Sequence, residues 1–187
     1  MVQIPSAVAG RVIYVALVAV VILFFIGLSA KIRYSRSIEI LILDASQRES
    51  VHPRLLAAVI WKESRFQPNA MGEAGEVGLM QVSSGAAEDW AQAMGRDPIP
   101  MEALSHPGTN ITVGAWYLAR AIRHWKDEQC QDPLPFALAE YNAGRSTVSG
   151  WVENGGKKKD DFLQAITFPG TRQYVEEILH RFRKGTS

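Results

Sequence analysis

The stretch LLAAVIWKESRF, residues 55–66, places one carboxylate where an apolar helical stripe should continue. Leu56, Val59, Ile60 and Glu63 fall at i, i+3, i+4 and i+7, so Glu63 shares the face that such a helix buries. Desolvation penalises the ionised form of a carboxyl group and raises its pKa. A glutamic acid that keeps its proton near neutral pH can hand it to a leaving group. Glu63 thus has the placement of a general acid. A plainer alternative is open at this point: near the end of its helix the side chain could turn outward into water, as most glutamates do. The remaining reactive groups are sparser. His52, His106, His124 and His180 are too widely separated for metal-ligand spacing. Cys130 is the only cysteine, which excludes an internal disulfide and suits a small, half-buried side chain. Glu73 and Glu76, in the loop after the Glu63 helix, are possible second carboxylates of the kind a hydrolase uses to hold a water, although loop acids are usually solvated. Tyr141 has an apolar ring and a polar tip, which fit a core position or a binding wall equally well.

The elements that must hold these groups are mostly helical. Pro53 suits the first position of the Glu63 helix, where its missing N–H would be unsatisfied anyway, and the helix must end before Pro68. Gly72, Gly75 and Gly78 punctuate NAMGEAGEVGLMQV, a spacing for turns or a small hairpin that makes this the one β-like or irregular segment. Ser83 or Ser84 caps a helix through GAAEDWAQAM that Gly95 stops, and the Pro-containing loop RDPIPMEALSHPG follows. Ile111, Ala115, Leu118, Ile122 and Trp125 recur at helical spacing and predict a central core helix. LPFALAEYNAG reads as a further helix ended by Gly144, and ENGGKKKDD as a polar, solvated loop. A last helix is expected from about Thr171 to Phe182, with Val175, Ile178, Leu179 and Phe182 on one side.

Five stretches occur in an order that resembles the catalytic domain of lytic transglycosylases of the soluble, lysozyme-like (SLT) type: ESRFQPNA, GLMQ, NITVGAWYL, AEYNAG and FPGTRQYV, together spanning nearly all of residues 50–180. The resemblance implies a mainly α, lysozyme-like (α+β superfamily) fold. It also implies peptidoglycan glycan strands as substrate, with Glu63 as the sole catalytic acid/base and no metal or organic cofactor. By the same resemblance, Met80 and Gln81 line the sugar groove and Tyr141 hydrogen-bonds near the carboxylate or the scissile sugar. Asn142 shapes that wall, and Tyr174 stands at the groove on the closing helix. Asn110 and Gly114 are expected to be structural, as a cap and a close-packing site. The sequence departs from the family pattern at two places. Gly72 stands where many members carry a serine that contacts the reacting sugar, and Gly170 stands where an acidic residue often precedes the threonine of the last motif. Two other readings stay open beside a lyase: a hydrolytic lysozyme pairing Glu63 with Glu73 or Glu76, and a glycan-binding module without activity.

The amino-terminal end has a different composition. Val12 to Ala30 is an uncharged run of 19 residues, long enough to cross a bilayer as a helix. Residues 1–30 are therefore expected to be a membrane anchor or uncleaved signal, 31–50 a linker helix capped by Ser37, and 51–187 the lysozyme-like domain. A cleaved signal peptide is the rival, but GLSAK matches a small-x-small cleavage site poorly. Without residues 1–30, whose only charged side chain is Arg11, the formal charge falls from +1 to zero. A neutral domain lacks the basic excess that nucleic-acid binding requires. Peptidoglycan lies outside the cytoplasmic membrane, so a single-pass protein with its domain exported to the periplasm or cell-wall side is expected. Lys31, Arg33 and Arg36, just after the apolar run, oppose that orientation by the positive-inside rule.

Overall fold

The structure, a computed structural model, describes the backbone of residues 6–184 and, within it, the side chains of Tyr14 and of residues 17–184. The chain divides into two units, Met1–Ile40 and Leu41–Ser187, which are taken separately. The first helix, α1 (Ser6–Glu49), is unbroken. The separate linker helix beginning at a Ser37 cap is therefore not formed: the Ser37 hydroxyl donates to the carbonyl of Tyr34, 2.7 Å away within the same helix. The physical reason is local, since no glycine or proline follows Gly27 before α1 ends. In the first unit, residues 17–37 are exposed throughout. The described helix from Leu17 onward is long and apolar enough to cross a membrane.

The second unit is built from helices around one core. Residues 41–49 of α1 contribute Ile42 and Ala45 to it, and Arg48 donates to the hydroxyl of Thr112 at 3.2 Å. Then follow α2 (Pro53–Ser64), α3 (Ser84–Ala93), a short 3-10 turn (Met101–Ser105), α4 (Pro107–Asp127), α5 (Pro133–Ala143), α6 (Arg145–Gly155), α7 (Lys159–Ala165) and α8 (Pro169–Lys184). Pro53 does open α2, Ser83 caps α3 by accepting from the Ala86 N–H at 3.2 Å, and Gly144 ends α5 at φ 81°. The hydrophobic seam is carried by α4 against α5, with α8 packed on both α5 and α2. Between α2 and α3, antiparallel bridges join Met71 to Val77 and Val77 to Val82, a turn-rich segment without a continuous strand.

The region expected to be a solvated loop is instead largely helical. Gly155 ends α6 where a Cβ would strike the Ala165 side chain and the Asp161 backbone, so this glycine permits a close crossing of α6 and α7. Gly156, at φ 75°, supplies the turn between them. Phe162 of α7 is fully buried and stacks on Phe136 of α5 at 4.0 Å between centroids. Burial of that ring outweighs the weak local propensity of the Gly- and Lys-rich sequence.

Candidate active site

Glu63 occupies the last turn of α2, where Arg65 and Phe66 both take left-handed backbone angles and turn the chain away. The buried Ser64 hydroxyl donates to the carbonyls of Ile60 at 3.2 Å and Leu79 at 2.8 Å, which ties the helix end to the following loop. The Glu63 carboxylate accepts a 2.5 Å hydrogen bond from the Tyr174 hydroxyl of α8. Burial pushes its pKa up to about 7; the Tyr174 hydrogen bond opposes this, the charge of Glu76 adds to it and Lys62 opposes it. Lys62 is itself engaged by Glu177 at 2.6 Å. A carboxyl in this state can give up a proton at neutral pH and take one back.

The loop facing Glu63 is held from behind by Asn110. Its Oδ1 accepts from the Met80 N–H at 2.7 Å, and its Nδ2 donates to the carbonyls of Val77 at 2.7 Å and Leu104 at 2.8 Å. Asn110 is therefore a clamp inside the domain rather than the helix cap expected from sequence. Its register carried a signal, because it shares a stripe of α4 with Gly114, Leu118, Ala121 and Trp125, all buried. Gly78, at φ 82°, leaves no room for a side chain against Asn110. Gly114 likewise makes space for Met80, as close packing at that position requires.

The expected site residues converge on one region but occupy different depths. The Met80 side chain is fully buried and supports the floor from beneath, while its carbonyl accepts from the Tyr141 hydroxyl at 2.8 Å. Tyr141 thus bonds to the loop backbone rather than to Glu63. Burial, followed by the charge of Glu63, pushes the phenols of both Tyr141 and Tyr174 well above their ordinary range, so both remain donors. Gln81, at φ 46°, donates to the carbonyls of Ala70 at 3.1 Å and Gly78 at 2.9 Å. Asn142 is exposed and accepts from the Thr171 hydroxyl at 2.7 Å, joining α5 to α8. A cleft of about 240 Å³ runs between the loop and α5, with Glu76, Gln81, Tyr117, Tyr141 and Asn142 in its lining. Glu73 is exposed on the loop and outside that lining.

Sequence reasoning missed Ser64 and the buried Glu140. The Glu140 carboxylate accepts from Trp125 Nε1 at 2.8 Å and from Arg145 Nε and Nη2 at 3.0 and 2.8 Å. This ion pair fixes the turn from α5 into α6 beside the cleft. Among the described residues no three His, Cys, Asp or Glu side chains lie together as a metal site would need.

The Transglycosylase SLT domain family matches residues 40–163. The chain is 31% identical over 128 residues to a soluble lytic murein transglycosylase of Salmonella typhimurium, covering 65% of this chain and 19% of that protein. It is 39% identical over 111 residues to the membrane-bound lytic murein transglycosylase F of Desulfosudis oleivorans, covering 58% of this chain and 22% of the other. Among solved structures, an inactive glutamate-to-glutamine mutant of the Pseudomonas aeruginosa lytic transglycosylase Slt superposes with a TM-score of 0.65 at 26% identity, over 75% of this chain and 22% of that one. The chain therefore spans about a fifth of the length of these relatives. With the match running through most of the second unit, the chain belongs to the Transglycosylase SLT domain family.

Proposed function

We propose that this protein is a lytic transglycosylase that cleaves the β-1,4 bond between N-acetylmuramic acid and N-acetylglucosamine in peptidoglycan, with Glu63 as its single reacting carboxylate. The observation that carries this reading is the Glu63 carboxyl itself, largely withdrawn from water, held by Tyr174 at 2.5 Å and titrating at about 7. The proton of Glu63 passes to the glycosidic oxygen, which leaves with the electron pair of the broken C–O bond. The substrate's acetamido group stabilises the electron-poor anomeric carbon. The Glu63 carboxylate then takes the proton of the muramyl 6-hydroxyl as its oxygen bonds to that carbon, giving a 1,6-anhydro ring and restoring the acid. No water enters the product, and the internal nucleophile has a large effective concentration. Family membership supports the substrate class, and the inactive glutamate-to-glutamine mutant of the Pseudomonas aeruginosa relative supports dependence on one glutamate. Tyr141, Asn142 and Gln81 form the sugar-binding wall, with Met80 beneath it. The domain acts outside the cytoplasm, tethered through the apolar run at residues 12–30. A membrane-bound relative is consistent with such tethering.

One observation favours a second reading: Glu76 lines the cleft beside Gln81 and Tyr141, and a second carboxylate could activate water. Product mass separates the two, because the anhydro sugar is one water lighter than the hydrolysed one. Purified peptidoglycan digested by the wild-type protein should give anhydromuramyl ends, and Glu63→Gln should release none. Reducing muramyl ends would instead establish hydrolysis. Equal release by wild type and Glu63→Gln would remove Glu63 from the reaction.

A further inference from the structure

The departure at Gly72 has a counterpart four residues later. A Cβ on Gly72 would land on the Glu76 carboxylate and close to Glu76 Cβ and Gln81 Oε1, so the absent side chain makes the space that the Glu76 carboxylate fills. The seat is fixed on the loop side. Glu76 Oε2 accepts from the Ala74 N–H at 3.1 Å, and the Glu76 carbonyl accepts from the Gly72 N–H at 2.8 Å. The side chain is half-buried and forms part of the cleft lining beside Gln81 and opposite Tyr141. We propose that Gly72 and Glu76 form a matched pair that seats a non-reacting carboxylate in the cleft wall, making Glu76 a positioning residue for Glu63.

The inference rests on the lytic transglycosylase reading and extends it to the control of the acid. Around Glu63 the ionisable groups are Tyr174 from α8, Tyr141 from α5, Lys62 beside it on α2 with its partner Glu177, Arg65 one turn end away, and Glu76 from the loop. Lys62 is the cation acting directly on Glu63, and Glu177 holds it at 2.6 Å. Glu76 is the anion acting on Glu63 from the loop side. A negative charge there disfavours ionisation of Glu63 and keeps it loaded with its proton at a higher pH. Glu76 also replaces the hydroxyl that a serine at position 72 would offer. A hydroxyl both donates and accepts, whereas a carboxylate only accepts, so the sugar at this point must present an N–H or O–H.

The test uses the full chain in detergent micelles, with two readouts: the pH profile of kcat/KM on peptidoglycan fragments, and the titration midpoint of Glu63 followed by carboxyl 13C chemical shift, assigned by comparison with Glu63→Gln. In Glu76→Gln the Glu63 midpoint and the alkaline limb of the profile should both move down by about half a pH unit or more, with anhydro ends still the product. Gly72→Ser, which pushes the carboxylate from its seat, should move both in the same direction, and Gly72→Ser with Glu76→Gln should move them no further than Glu76→Gln alone. Glu73→Gln, on the same loop but outside the cleft, should leave both in place. The pairing is overturned if Glu63 titrates alike in wild type and Glu76→Gln, if Glu73→Gln moves it as much, or if the two shifts simply add. A wild-type protein that shows the Glu76-dependent midpoint but releases no glycan fragments would overturn the proposed reaction and leave the electrostatic pairing standing. Thermal unfolding of each variant separates these outcomes from loss of fold.

Discussion

At the scale of residues, Glu63 and Tyr174 set opposing demands. A carboxyl whose folded-state pKa is about 7 keeps its proton where the unfolded chain, near 4.5, has already lost it. Below pH 4.5 both states are protonated. As pH rises through the interval from 4.5 to 7 the unfolded state releases a proton that the folded state retains, and stability falls. Above 7 the full cost of the buried charge is present. Glu63→Gln removes that cost, so the variant should unfold at a higher temperature than wild type at pH 8 and at the same temperature at pH 4, a gain of about 3 kcal/mol at the higher pH. Calorimetry at the two pH values measures it. Such an exchange of activity for stability is what an acid held in an unfavourable environment entails. Tyr174 acts in the other direction, because its hydrogen bond stabilises the charged form. Tyr174→Phe keeps the buried ring and removes only the hydroxyl, so the alkaline limb of the pH profile should move upward. At the same time kcat should fall about tenfold, because the carboxyl loses the bond that aims it. A downward shift of that limb would contradict the role given to the hydroxyl.

At the scale of elements, the site is a helix end, a loop and a closing helix, joined by a few buried polar groups. Asn110 satisfies one N–H and two carbonyls of neighbouring backbone, so Asn110→Ala takes the partner from the Met80 N–H and the Leu104 carbonyl and leaves the Val77 carbonyl with its Val82 N–H alone. The expected cost is about 3 kcal/mol by urea denaturation, with loss of activity because Met80, Gln81 and Glu76 all belong to the released segment. Asn110→Asp keeps an acceptor for Met80 but sets its other oxygen against two carbonyls in a fully buried place, so it should cost at least as much as the alanine variant in the same measurement. Sequence pattern revealed part of this architecture. The stripe through Leu56, Val59, Ile60 and Glu63, the opening proline of α2, the Ser83 cap and the end of α5 at Gly144 are local rules, and each is obeyed. What stayed hidden depends on partners distant in sequence. Tyr174 lies 111 residues from the carboxylate it holds, and Tyr141 lies 61 residues from the carbonyl it binds. The helices α6 and α7 escaped for a related reason: the glycines at their join read as a loop, and it is the burial of Phe162 against Phe136 and the close approach at Gly155 that hold helix on either side of the turn.

At the scale of the whole molecule, the fate of the amino-terminal helix determines where the chemistry can occur. The described side chains from Leu17 to Leu28 include Leu23, Phe24 and Phe25, each more than half exposed. Leaving such a run in water forfeits about 1.5–3 kcal/mol per large apolar side chain, which insertion into a hydrocarbon layer recovers. The helix also continues without a break into polar sequence, as a retained anchor can and as a removed leader does not need to. The full chain expressed in bacteria should therefore sediment with membranes, resist extraction by high salt, enter solution with detergent, and keep an N-terminus ahead of residue 12 when sequenced. A mature N-terminus near residue 31 would show that the segment is a removed signal instead. Orientation is a separate question, because Lys31, Arg33 and Arg36 would by charge alone retain the carboxyl side in the cytoplasm, where no peptidoglycan is available to cut. The positive-inside rule is a statistical bias on short flanking segments, and the proposed substrate, which lies outside the cytoplasm, is the stronger constraint. Alkaline phosphatase fused after Ser187 should consequently be active, and a cytoplasm-dependent reporter at the same position silent; the reverse pattern would place the domain inside and defeat its assignment to the cell wall.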